Sequence, residues 1–267
     1  MRKRRLWLCS LLLVPAGLSC VGQTGGNAID FPVAAAGPAS AILGQPLFCT
    51  NDGNWDITLT QATLHIGAVY LDQSQPVSGG QATGCYLTGT YVAQETSALD
   101  VDLLSPDPQL FSANAHGITN PPALVGQVWL THGDINTIAD RVPVLQLEGA
   151  ATQSASAYPF TAALTIGSNR QASGGAVAGG DPICKERIVS PIPTTVTIQP
   201  TGGLLLTVDP CRLFTNVDFS QLAPGSTHGT YAFSDDPSSA AYTQPSQNLY
   251  GNLRNTGPYA FSWTPNP

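Results

Sequence analysis

Charge is scarce in this chain. Only 10% of its 267 residues are Asp, Glu, Lys or Arg, and between Cys20 and Asp140 there are ten acids but no Lys or Arg. A surface of that sign repels phosphate, so nucleic acid and anionic lipid headgroups are excluded as partners, whereas a cation would be attracted. Methionine is nearly absent as well, with Met1 alone, so no thioether site for copper(I) survives removal of an N-terminal leader. The sequence holds no G-x-S-x-G, no H-E-x-x-H, no phosphate loop and no dinucleotide fingerprint, and nothing in it names a reaction. A chain with 27 glycines and 22 prolines is not built from long helices; short strands joined by turns are expected.

The first residues are the exception to the scarcity of basic charge. Arg2, Lys3, Arg4 and Arg5 precede an apolar run of about nine residues, Leu6 to Val14, which is an export signal and too short for the roughly twenty residues a membrane span needs. Gly17-Leu18-Ser19-Cys20 resembles the lipobox of bacterial lipoproteins, with Ser19 the small residue before the modified cysteine and with Gly17 and Leu18 interchanged relative to the family's preference. The resemblance implies cleavage before Cys20 and its acylation, so that the bilayer is a partner through acyl chains. Residues 1–19 are then a signal peptide, 20–28 a flexible tether and 29–267 a single domain. Cleavage removes four of the ten bases and no acids; six bases against seventeen acids leave a net charge of about minus eleven.

With Cys9 in the leader and Cys20 at the acylation site, Cys49, Cys85, Cys184 and Cys211 remain. In an oxidising compartment two disulfides are expected, and three pairings are open. Short loops close more easily, which favours Cys49 with Cys85 and Cys184 with Cys211. No C-x-x-C spacing supports a thiolate metal site.

Residues 55–71, WDITLTQATLHIGAVYL, form the dominant apolar pattern. Ile57 and Leu59 alternate with threonines, after which the phase slips by one residue to Ala62, Leu64, Ile66, Ala68 and Tyr70; this predicts a central strand with a bulge near Thr60 and Gln61. Asn51-Asp52-Gly53-Asn54 is a turn leading into it. Further strands are expected at 29–35, with Pro32 confining it to an edge, and at 98–104, where Asp100 and Asp102 face water. Others are expected at 126–131, 142–147, 160–166, 194–198, 204–208 and 259–263. Asp209-Pro210 opens one short helix, and Ser246 caps a second bearing Leu249 and Leu253. The fold class is therefore all-β, a two-sheet antiparallel β-sandwich with one or two short helices.

The F-P-V strand, Pro46-Leu47-Phe48-Cys49, the strand from Trp55, Val101-Asp102-Leu103-Leu104 and the later Leu213-Phe214 and Val217-Asp218 resemble, in order and spacing, the methanobactin-associated periplasmic copper-binding proteins. That resemblance implies a sandwich, an envelope location and copper, although the family's tryptophan-rich metal segment has no counterpart here. The chain as a whole is similar to the lipoproteins that myxobacteria encode.

Candidate chemistry rests on four histidines. His65 lies on the central strand in the opposite phase from Leu64 and Ile66; His132 stands in Thr131-His132-Gly133-Asp134 just after a strand; His116 and His228 precede glycines and read as loop residues. His132 with Asp134 is the best seed of a metal site, with His65 a further ligand, and copper(II) or zinc the ion such donors prefer. The leading expectation is a non-enzymatic envelope lipoprotein with no cofactor, a binding or structural module whose protein partner the sequence leaves open. A periplasmic copper binder is the first alternative. A hydrolase of envelope polysaccharide, built on a carboxylate dyad, is the second.

Overall fold

Alternation of Ile57, Leu59, Ala62, Leu64 and Ile66 buries one face of strand Asp56–Ile66, and the bulge falls where the phase slips. In a computed structural model, which describes residues 25–74, 77–78, 87–88, 90–133, 135, 141–167, 186–265 and 267, Leu59 lies opposite Gly149 and Gln61 opposite Glu148, leaving Thr60 unpaired in register. One extra residue on the bulged strand keeps both halves of the apolar pattern on the core side. The strand is the hub of a seven-stranded sheet. It pairs along one side with Leu145–Gln153, and along the other first with Leu47–Thr50 and then with Leu99–Asp102.

Gly67 ends the strand, and the chain continues as Ala68–Asp72 in a different, six-stranded sheet. A side chain at Gly67 would collide with the carbonyl oxygen of Thr131, so only glycine lets the two backbones approach at this corner. The expected strand at 29–35 is divided in the same way. Ala28–Phe31 is an edge of the six-stranded sheet, and Val33–Ala36 enters a four-stranded sheet with Gly203–Val208 and Tyr259–Thr264 beyond it. Pro32 at the junction has no N–H to lose, and its carbonyl still accepts from the Leu204 amide at 3.0 Å.

The all-β sandwich is borne out. One apolar cluster joins the three sheets, from Ile57 and Leu59 through Val69 and Leu71 to Leu204 and Leu206. Among the described strands pairing is antiparallel except at two places, Ser156–Leu164 beside Tyr231–Phe233 and Gly203–Val208 beside Val33–Ala36. Asp209 caps the short 3-10 helix Pro210–Phe214 through its carboxylate and the Cys211 amide, as expected. The α-helix Gln244–Leu253 does bury Leu249 and Leu253 on one face, but its N-cap is Thr243. Ser246 instead lies inside the first turn, fully buried, its hydroxyl donating to the Ala241 carbonyl at 2.7 Å and accepting from the Ser234 amide at 3.2 Å. No described helix is long and apolar enough to cross a membrane.

The disulfide expectation is corrected. Cys49 is bonded to Cys211, which rules out both Cys49 with Cys85 and Cys184 with Cys211. Sequence proximity misled because the turn before the central strand docks on the 3-10 helix: Asn51 donates its amide to the carbonyls of Phe214 and Val217 at 3.0 and 2.8 Å, which brings Cys49 to Cys211. The same Asn51 accepts from Gly53 and Trp55 amides through its side-chain oxygen, so the expected turn is also the clamp. Residues 1–24, with Cys20, and also Cys85, Cys184 and Asp134, lie outside the described residues.

Candidate metal centre

The corner at Gly67 brings two of the sequence-selected histidines together. His65 is the second-last residue of the long strand, and its amide donates to the Val144 carbonyl at 2.7 Å; the Gly67 amide donates to the Trp129 carbonyl at 2.7 Å, which carries the chain following Trp129 past the strand end. His132, three residues after Trp129, lays its ring on that of His65. The centroids are 3.5 Å apart and the planes differ by 19°.

Each ring has one nitrogen committed. Asp100 lies directly opposite His65 in the neighbouring strand, and its carboxylate accepts from His65 Nδ1 at 2.6 Å. A carboxylate cannot donate, so Nδ1 carries a proton and the lone pair of the neutral ring falls on Nε2. That atom is buried and has no hydrogen-bond partner among the described residues. His132 Nε2 lies 2.9 Å from the Pro143 carbonyl, an acceptor only, so it is the donor and Nδ1 keeps the lone pair. His65 is nearly enclosed, with its side chain 11% exposed, while His132 is exposed. A buried polar atom left unpaired costs about 1–3 kcal/mol, and an ordered ion or water is one of the usual reasons such an atom persists.

The arrangement is a pre-oriented imidazole backed by a carboxylate, the outer-shell device that fixes a ligating histidine's tautomer. A ring nitrogen's lone pair lies in the ring plane, so two stacked rings do not converge on one point, and sharing one ion requires His132, on its exposed turn, to rotate away from the stack. No group of three or more His, Cys, Asp or Glu side chains gathers among the described residues. Asp134, proposed from sequence as the companion of His132, lies outside them.

The other candidates separate. His116 is not a loop residue: it stands on Ala115–Ile118 opposite Asp30, with Nδ1 2.9 Å from that carboxylate and both side chains exposed. His228 sits on an exposed turn. Asp102 turns back to accept the Leu104 amide at 2.9 Å and does not join Asp100. The residue that sequence reasoning missed is Asp100 as the partner of His65. Its identity was read as a water-facing strand residue, which it is; the strand register that sets it against His65 has no local signal.

No family model and no curated protein matches the chain. Among solved structures, MbnP from Methylosinus trichosporium superposes over 90% of this chain and 99% of its own at 11% identity and a TM-score of 0.41. A likeness that loose carries no inference about ligand, and the reading of the site rests on its own geometry.

Proposed function

We propose that this protein is a non-enzymatic, extracytoplasmic β-sandwich lipoprotein that binds a transition-metal cation, copper(II) or zinc, through His65 and His132. The observation that carries the reading is His65 Nε2: buried, without a partner among the described residues, on a ring whose opposite nitrogen is pinned by Asp100. A histidine that only filled space would be expected to spend both nitrogens on hydrogen bonds or to leave one in water. The acid-only stretch that holds both histidines adds a favourable potential for a cation. An oxidising compartment is supported by the Cys49–Cys211 disulfide and by the exported-protein leader.

Calorimetric titration of the demetallated mature protein with copper(II) and with zinc tests this. Binding tighter than micromolar is expected, weakened about 10- to 100-fold by Asp100→Asn and lost in His65→Ala. Absence of binding tighter than micromolar for both ions overturns the reading.

A further inference from the structure

A second buried polar atom without a partner among the described residues lies in the six-stranded sheet. Three neighbouring strands, Tyr91–Glu95, Ala68–Asp72 and Ala123–Trp129, set Tyr70 opposite Gln127 and Asp72 opposite Tyr91. Val69 and Leu71 join the apolar core, so alternation places Tyr70 and Asp72 on the other face. There Tyr70 packs between Tyr91 and Trp129, with centroids 5.3 and 4.6 Å away and planes tilted by 50° and 38°. The three rings form a row of tilted faces rather than a flat stack.

Asp72, on the same face and opposite Tyr91, is inaccessible to solvent, a position where a threonine or leucine would be the inexpensive choice. One carboxylate oxygen accepts from the Gln127 amide at 2.6 Å, and Gln127 in turn accepts from the Trp129 indole N–H at 3.2 Å. Among the described residues Asp72 Oδ1 has no hydrogen-bond partner. Among the described residues no cation pairs with Asp72; the guanidinium that does lie over a ring, that of Arg254, is on Tyr250 elsewhere. Burial pushes the Asp72 carboxyl up to about 6, against the pull of Gln127, so at neutral pH it is mainly ionised. The Tyr91 hydroxyl is held above its usual value by burial and then by the Asp72 charge.

A carboxylate oxygen short of a partner and three aromatic faces, each negative at its centre, have one complement in common. The faces attract a soft, weakly hydrated cation, and the carboxylate balances its charge. We propose that Asp72, Tyr70, Tyr91 and Trp129 form a binding site for an organic ammonium group, distinct from the histidine pair. Tyr91, opposite Asp72 in the strand register, is the exposed ring of the row, 41% accessible, and is where the ligand meets the site. Tyr70 and Trp129 supply the faces, and the Gln127 bridge holds the acid toward them.

Tetramethylammonium is the probe, read by the tryptophan fluorescence of the mature protein at constant ionic strength, with Trp129→Phe assigning the signal. A saturable change is expected that neither potassium chloride nor neutral, isosteric tert-butanol reproduces. Asp72→Asn keeps the shape of the side chain and is expected to weaken binding at least 10-fold, and Tyr70→Leu, which removes the central ring face, is expected to weaken it as well. No saturable response, an equal response to tert-butanol, or unchanged affinity in Asp72→Asn overturns the proposal. Each outcome is independent of metal at His65, since the titration is run on the demetallated protein.

Discussion

Asp72 is the residue whose protonation the folded state changes most usefully. Its carboxyl is pushed up to about 6 by burial, while in the unfolded chain it sits near the ordinary value of about 3.9. Between those values the folded protein holds a proton that the unfolded chain has released, so this group makes stability fall as pH rises through the window. Buried Asp235, raised in the same direction despite accepting from the Thr165 amide and hydroxyl, adds to that slope. Asp72→Asn is therefore expected to flatten the dependence of the urea midpoint on pH between about 4 and 6 and to raise the midpoint at pH 7. A variant whose pH profile parallels the wild type contradicts the assignment. His65 and His132 were visible as candidates in the sequence, one from strand phase and one from its place after a strand. Asp100 and Asp72 were not, because an acid on a strand reads as solvent-facing until the register and the layer above it are known.

Elements were legible where one periodicity dominates. The phase slip near Thr60 announced the bulge, and Asp209-Pro210 announced the 3-10 helix. What stayed hidden were the two corners, at Pro32 and Gly67, where a continuous apolar pattern passes from one sheet to another without a break in composition. Strand Leu145–Gln153 runs well past the expected 142–147 because Gly149, Ala150 and Ala151 dilute its alternation, although they pair fully with Ser156–Leu164. Gly67 is the element-scale test. Gly67→Ala places a methyl against the Thr131 carbonyl, a backbone atom that cannot swing aside, and is expected to cost about 1–3 kcal/mol in urea unfolding. Because Thr131 precedes His132, the same variant is expected to weaken metal binding as well; full stability and unchanged affinity together would mean that the corner does not position the site.

For the molecule as a whole, the disulfide is the long-range fastening that no local signal could give. Cys49 and Cys211 are 162 residues apart, and closing so long a loop restricts the unfolded chain by on the order of 5 kcal/mol at most. Non-reducing peptide mapping is expected to join them, and Cys49→Ser with Cys211→Ser is expected to lower the melting temperature; mapping that joins Cys49 to Cys85 would contradict the structure. Membrane attachment through Cys20 is the whole-molecule part of the proposed function. Cys20→Ala is expected to leave the membrane fraction, since acyl chains and not a protein span would hold it there.

The central claim, that His65 and His132 together take a metal, is tested most directly by the electron paramagnetic resonance spectrum of the protein loaded with one equivalent of copper(II). The account predicts nitrogen superhyperfine structure from two imidazoles, reduced to one in His132→Ala and absent in His65→Ala with His132→Ala. A spectrum without imidazole coupling, or one that is the same in the wild type and the double variant, would contradict it.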